Sequence, residues 1–370
     1  MVKVSVGIIA RNEEKHIAKL MKSLVNLNFP KDEYEIILVD GDSSDKTIEK
    51  AEEILKNSGV RYKIIEEGKE AIEKIIQERN VDEKKAKELR FKLNYYGPCF
   101  ARNLVIENAD KDSKYIAFID ADCIADKDWL RILYERIEGS DDDVAGVGGA
   151  RLIAETDNKM ELLINAILTS FIASGGNPAF SKRNVKYVDS IPNYNAIYKK
   201  KILEKFKYDN NLVLSDDCEL NYRLRKNGYK FLYEKNAKVF HHETNSIKEF
   251  LRNMFRYGVN ISRVVKKHKE IVRIYIPLTV LFVVSPILSL IWVVVINFVF
   301  KGTIFYNLIY LPLLFYGMYF LFILAVFIEV FIKTKDFLRS LLVFILVPLQ
   351  HFCYGLGVLK GLFFDSYIRK

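Results

Sequence analysis

The chain has 370 residues, 50% of them apolar and 28% charged, with 56 Lys+Arg against 47 Asp+Glu for a net charge of +9. These averages hide a division: residues 271–370 hold 69 apolar, 8 basic and 3 acidic residues, whereas the 270 before them hold 48 basic and 44 acidic. A charged globular front joined to an apolar back excludes a purely soluble enzyme, a disordered chain and a disulfide-bonded scaffold.

Residues 1–10 lack the apolar stretch and small-residue cleavage site of a secretory leader, and Val4–Ala10 reads as a buried strand. Glu13–Asn28 has helical spacing of Ile17, Leu20, Met21 and Leu24, with Asn12 in the N-cap position. Ile36–Val39, Tyr62–Ile65 and Tyr115–Ile119 predict further strands, and Lys46–Lys56 a helix. This alternation predicts an α/β fold with a mostly parallel sheet covered on both faces. Ligands of such sheets bind at the carboxyl ends of the strands. Residues 69–94 interrupt the pattern with charged, helix-prone sequence; a solvated helical insertion is expected, an active-site flap being the alternative. Cys99, Cys123, Cys218 and Cys353 show no paired or metal-ligand spacing and predict reduced thiols.

The predicted domains are a catalytic-type domain over 1–244, an amphipathic helix over 245–270 and a membrane region over 271–370, with spans near 274–300, 303–331 and 338–360. The third contains Gln350 and His351 and reads either as a span or as a re-entrant segment. Within 245–270, Ile247, Phe250, Leu251, Met254, Ile261 and Val265 share one face, while Lys248, Arg252, Arg256, Arg263, Lys266 and Lys267 supply charge. That pattern predicts a helix lying in the interface against membrane lipids, with a core helix as the alternative. Lysines and arginines flanking the spans put residues 1–270 on the cytoplasmic side. Near-balanced charge in the front, with no basic run interleaved with aromatics, excludes a nucleic-acid partner.

Asp120-Ala121-Asp122, closing an apolar strand, can hold a hard divalent cation such as Mg²⁺ or Mn²⁺ and leave positions for phosphates. A strand-end turn, where Asp is common, is the plainer account. No phosphate-binding Gly-x4-Gly-Lys-Ser/Thr loop and no Gly-x-Gly-x-x-Gly turn is present. Asp216 with Glu219 three residues on has the spacing of a capping box. Ser174-Gly175-Gly176-Asn177-Pro178 reads as a loop or a helix-ending turn.

Taken together, Ile8-Ile9-Ala10-Arg11-Asn12-Glu13-Glu14, Val39-Asp40-Gly41-Asp42-Ser43-Ser44-Asp45, Ala101-Arg102-Asn103 and Ile119-Asp120-Ala121-Asp122 closely resemble family 2 glycosyltransferases of the GT-A fold, over about the first 260 residues. Tyr194-Asn195-Ala196-Ile197, Asp216-Asp217-Cys218-Glu219 and Phe255-Arg256-Tyr257-Gly258 resemble its membrane-bound subgroup typified by succinoglycan-biosynthesis enzymes. The resemblance implies a Rossmann-like GT-A domain followed by the interfacial helix and about three transmembrane helices. It implies an inverting, metal-dependent transfer of one sugar from a nucleotide-diphosphate sugar to a lipid-linked acceptor. A polyprenyl-phosphate sugar synthase and an inactive membrane scaffold are the alternatives.

By the same resemblance, Asp40 would bind the nucleotide base, with Ala10, Arg11, Asn12, Glu13, Asp42 and Arg102 around the donor. Asp120 would face the ribose or the metal, Asp122 would bind Mg²⁺ or Mn²⁺, and His241 would be a further ligand. Asp217 would be the catalytic base with Asp216 beside it, Arg256 would hold the diphosphate, and Asn195 and Glu219 would meet the acceptor.

Overall fold

The structure is a computed structural model describing residues 1–174, 186–212 and 216–364. The loop expected at 174–178 falls outside the described residues apart from the backbone of Ser174. The described chain forms two compact units, one from 1–155 and 186–242, the other from 156–174 and 243–364. The first unit is therefore discontinuous, and the single block expected over 1–244 is corrected: residues 156–174 belong with the apolar part of the chain.

The first unit begins as the alternation β1 (Val4–Ala10), α1 (Ile17–Val25), β2 (Tyr34–Asp40), α2 (Thr47–Leu55) and β3 (Arg61–Glu66). Next come α3 (Glu67–Arg79), α4 (Glu83–Lys92), α5 (Pro98–Asn108), β4 (Tyr115–Ile119), β5 (Cys123–Ala125), α6 (Trp129–Glu138) and β6 (Val144–Ile153). The chain gives α7 (Lys159–Leu168) and α8 (Phe171–Ser174) to the second unit. It then returns for β7 (Tyr187–Val188), β8 (Asn195–Lys199), α9 (Lys200–Phe206), α10 (Asp216–Lys226) and β9 (Lys230–His241).

β1 and β2 are nearly continuous apolar runs because both of their faces are covered, and α1 closes one face with Ile17, Leu20, Met21 and Leu24. Among the described residues the sheet has the order β3-β2-β1-β4-β8-β6-β9-β5, with β7 on β9. The β3-β2-β1-β4 half is parallel as expected, but β4–β8, β8–β6, β9–β5 and β7–β9 are antiparallel. The sheet is mixed, which corrects the mostly parallel expectation. Register sets Ala10 beside Asp40 and Asp40 beside Glu66, so three strands end along one edge.

Two local expectations change at that edge. Asn12 does not cap α1, whose N-cap position is His16. It adopts φ +58° and its Oδ1 accepts a hydrogen bond from Ser44 N at 2.8 Å. Ser43 Oγ accepts from Asn12 N at 2.9 Å and Thr47 Oγ1 from Glu13 N at 2.8 Å, so the loop after β1 is stitched to the loop after β2. The charged insertion is indeed helical, as α3 and α4, but it is not merely solvated. Ala71, Ile75, Ala86 and Arg90 are buried, and Asp82 caps α4 by accepting from Lys85 N.

The second unit continues with α11 (Ile247–Lys267), α12 (Tyr275–Val299), α13 (Leu311–Thr334), α14 (Phe337–Ser340) and α15 (Val343–Phe363). Tyr275–Val299, Ile304–Thr334 and Phe337–Phe363 are each long and apolar enough to cross a membrane. α11 buries Phe250, Met254, Gly258, Ile261 and Val264 while Lys248, Arg252 and Arg256 are exposed; Arg263, expected on the charged face, is buried. α11 meets α15 backbone to backbone. A Cβ on Gly258 would lie 2.1 Å from Tyr354 O, and one on Gly357 would lie 2.1 Å from Phe255 O. Ser262 Oγ completes the crossing by donating to Val358 O at 3.0 Å. His351 is spent within the helices, its Nδ1 2.8 Å from the Tyr319 hydroxyl. α7 covers part of the same unit, with Leu163, Ala166 and Ile167 against Ile323, Val326 and Val330 of α13.

Candidate active site

The edge where β1, β2 and β4 end gathers the carboxylates of the first unit. Asp40 is buried, its Oδ2 accepts from Ser43 N at 3.0 Å, and its buried Oδ1 has no hydrogen-bond partner among the described residues. A buried carboxylate oxygen without a donor costs free energy unless a ligand supplies one. Ala10 O is already engaged by Gly41 N at 2.8 Å, and Arg11 is exposed. Asp42, at φ +60°, accepts from Gly68 N and pairs with Arg90, so it is held by the insertion rather than left open.

Antiparallel pairing of β5 with β9 sets Cys123 opposite His241 and brings Asp122 to the histidine. Nε2 of His241 lies 3.3 Å from Asp122 Oδ1. Its Nδ1 is 2.6 Å from His242 O and 3.2 Å from an Arg151 nitrogen. Among the described residues, Asp122, Cys123 and His241 form a group whose donor atoms lie within 4.8 Å of one another. Burial, and then the Asp122 charge, pushes the Cys123 thiol well above its ordinary range, which makes it the weakest ligand of the three. A carboxylate oxygen and an imidazole nitrogen remain, a donor pair that fits Mn²⁺ better than Mg²⁺. Glu13 also belongs to this end. Burial and the neighbouring Asp122 and Asp120 charges raise its carboxyl to about 7.

Asp120, expected at the ribose or the metal, lies outside that group. Its Oδ1 is 3.4 Å from Arg102 Nη2, and burial outweighs Arg102 to raise its carboxyl, with Asp122 adding to the rise. Arg102, only 6% exposed, reaches Asp216 through its other nitrogen and lies over the Phe118 and Tyr208 rings. Burial opposes its charge, yet Asp216 and Asp120 carry its pKa above the usual range. Asp216 also accepts from Asn193 Nδ2 at 3.2 Å. Both acids of the capping-box pattern have side-chain partners: Asp216 serves Arg102, and Glu219 pairs with Arg223 at 2.9 Å.

Asp217, the next residue on α10, is half-buried, and burial followed by the Asp216 charge lifts its carboxyl to about 7. Such a carboxyl is poised to take a proton near neutrality.

Asn195 and Glu219 do not lie where an acceptor could reach them, which corrects that expectation. Both are 0% exposed. Asn195 donates to Ala150 O and Ala237 O and accepts from Trp129 Nε1, tying three strands and a helix together. Arg256 lies in the second unit, exposed on α11. Residues absent from the sequence reading include Arg151, Asn193, Glu67 and Arg90. Asn193 stands two places before Asn195 in a quoted motif, but single polar residues between strands carry no distinguishing signal.

Comparisons with known proteins complete the picture. Residues 3–260 match the family model described as glycosyltransferase like family 2. A Methanococcus voltae protein, dolichyl N-acetyl-alpha-D-glucosaminyl phosphate 3-beta-D-2,3-diacetamido-2,3-dideoxy-beta-D-glucuronosyltransferase, is 25% identical over 269 residues, 71% of this chain and 74% of that one. A Bacillus subtilis protein described as probable glycosyltransferase YdaM is 27% identical over 72% of this chain, which spans 56% of its length. Among solved structures, the mannosyltransferase PcManGT from Pyrobaculum calidifontis in complex with GDP-Man and Mn²⁺ shares 14% identity at a TM-score of 0.49, over 72% of this chain and 63% of that one.

Proposed function

Because the chain belongs to glycosyltransferase family 2, we propose that it transfers one sugar from a nucleotide-diphosphate sugar to a lipid-linked acceptor at the cytoplasmic face of a membrane, with inversion at the anomeric carbon. The observation that carries the reading is Asp217, a carboxyl with a pKa of about 7 next to the Asp216–Arg102–Asp120 chain, in the same unit as Asp122 and His241. In this mechanism the acceptor hydroxyl gives its proton to Asp217 as its oxygen attacks the anomeric carbon. The bond from that carbon to the diphosphate breaks on the opposite face, and the nucleoside diphosphate leaves with the bonding pair.

Asp40 Oδ1 accepts an N–H of the base, and Asp122 with His241 would hold Mn²⁺ or Mg²⁺. When bound, the ion supplies compensation for charge developing on the leaving diphosphate. Three membrane-length helices in the same chain support a lipid-linked acceptor, as does the dolichyl phosphate in the Methanococcus voltae relative's name.

Incubating the detergent-purified chain with a panel of nucleotide sugars and polyprenyl-linked acceptors, and reading nucleoside diphosphate release and the anomeric configuration of the product, tests the whole. Failure of every nucleotide sugar to bind or react would overturn it. Cysteine labelling from each side of intact vesicles tests orientation; a site near residue 240 labelled only from outside would reverse it.

A further inference from the structure

The inserted helices reach the base end of the donor site through one buried arginine. Arg90 of α4 has a side chain 10% exposed. One of its terminal nitrogens is 2.6 Å from Asp42 Oδ2 and the other 3.3 Å from Glu67 Oε1, while its Nε donates to Tyr95 O at 3.2 Å. Glu67, 3% exposed, also accepts from the backbone N–H of Gly97 at 2.7 Å, the residue that precedes α5 and hence Arg102. Asp42 Oδ1 meanwhile accepts from Gly68 N at 3.1 Å. A Cβ on Gly68 would stand 2.4 Å from that oxygen and 2.7 Å from Arg90, so a larger residue there would push this pair of side chains aside. Two of these contacts, from Arg90 and from Gly68 N, end on Asp42, two residues beyond Asp40 on the turn whose Ser43 and Ser44 engage Asp40 and Asn12.

An exposed salt bridge would carry little weight. Here the Asp42 carboxylate is 47% exposed, but the guanidinium fork that holds it is withdrawn from water and also engages the buried Glu67 carboxylate and the Tyr95 carbonyl, drawn from separate segments. Its effect is to neutralise Asp42 and turn it toward the insertion. Asp40 is left as the carboxylate with an open oxygen at the base end.

Resting on the donor-site reading above, we propose that Arg90 is a positioning residue for nucleotide binding, and that the α3–α4 insertion is a specificity element of the donor site. Without Arg90, Asp42 would be released as a second negative charge and second acceptor near the base. Anionic nucleotides would then bind more weakly, and discrimination among bases would relax.

The test is calorimetric titration of the full-length chain with UDP, GDP, ADP and CDP, for the wild type, Arg90→Gln, Asp42→Asn and the double variant, with Tm recorded for each. Arg90→Gln should weaken the preferred nucleotide by roughly tenfold or more and narrow the spread of Kd among the four. Adding Asp42→Asn should restore most of the lost affinity, because the charge that Arg90 restrains is gone. A purely structural arginine would lower Tm and leave Kd and base preference of the folded protein unchanged; that outcome overturns the proposal. So does a loss that Asp42→Asn fails to repair. If the wild type binds none of the four, the donor-site reading itself falls, a result distinct from wild-type binding that Arg90→Gln leaves untouched.

Discussion

Replacing Asp217 by Asn keeps the shape of the side chain and removes the proton acceptor. Transfer should fall by roughly 10²- to 10⁴-fold with nucleotide affinity nearly unchanged. A base whose carboxyl titrates at about 7 is active only above that value, so the wild-type rate should climb through pH 7 on its acid limb, and the residual rate of the variant should lose that limb. Stability carries the opposite sign. The folded carboxyl keeps its proton to about 7 whereas an ordinary Asp gives it up near 3.8, so the folded state binds the extra proton between these values and loses stability as pH rises through the window. Glu13 and Glu67, also raised to about 7, act in the same direction. Asp217→Asn should therefore show a Tm advantage over the wild type that is larger at pH 8 than at pH 5, measured by thermal unfolding. Asp216→Asn is a different case, because it strips a buried partner from Arg102 and should cost on the order of 3 kcal/mol, read as a lowered Tm. Asp122→Ala should abolish Mn²⁺ binding in titration, and EDTA should inhibit the native enzyme reversibly. Asp40 and Asp122 stand out in the sequence as acids that close apolar strands, whereas His241 and Asp217 were singled out through the family resemblance. Arg90 and Glu67 were not, because a buried ion pair between two charged helices looks in sequence like any solvated charge run.

At the scale of elements, the crossing of α11 and α15 depends on the absence of side chains. Gly258→Leu would drive a side chain into the Tyr354 carbonyl, and the helices would have to separate. The expected loss is about 1–3 kcal/mol or more, visible as a lower unfolding temperature in detergent, whereas Leu at the exposed Tyr257 should be nearly silent. The Gly357-x3-Gly361 spacing is of the kind that lets helices approach closely, and the element it meets is α11. β1, β2, β4, α1 and α2 were likewise readable from their apolar periodicity. The mixed half of the sheet was not: β5 has three residues and β7 two, too short for any period, and β8 joins strands distant in sequence. The Asn12 error has a different cause. Asn-Glu-Glu before an apolar run looks like a cap, but Asn also tolerates positive φ, and here its side chain joins two loops.

For the whole molecule, the double passage between units limits where the chain can be cut. A fragment ending at residue 244 keeps α7 but loses α13 and α15, so Leu163, Ala166 and Ile167 would face water. Such a fragment should aggregate on size-exclusion chromatography, and removing or replacing those three apolar residues should reduce the aggregation. The division into a charged front and an apolar back was plain from composition. The return of 156–174 to the apolar part was not, because its helix carries an amphipathic pattern that a soluble core would satisfy equally well.

That passage also imposes a schedule on synthesis. α7 leaves the ribosome about 150 residues before the stretch of α13 that covers it. At translation rates of about 5–20 residues per second, its apolar stripe waits roughly 8–30 seconds for a partner. Over the same interval β8 and β9 emerge and complete the sheet of the first unit. The first unit can thus mature while α7, which belongs to the second, still awaits its partner helix, and slowing elongation between residues 168 and 320 would lengthen the period in which the nascent chain is open to aggregation.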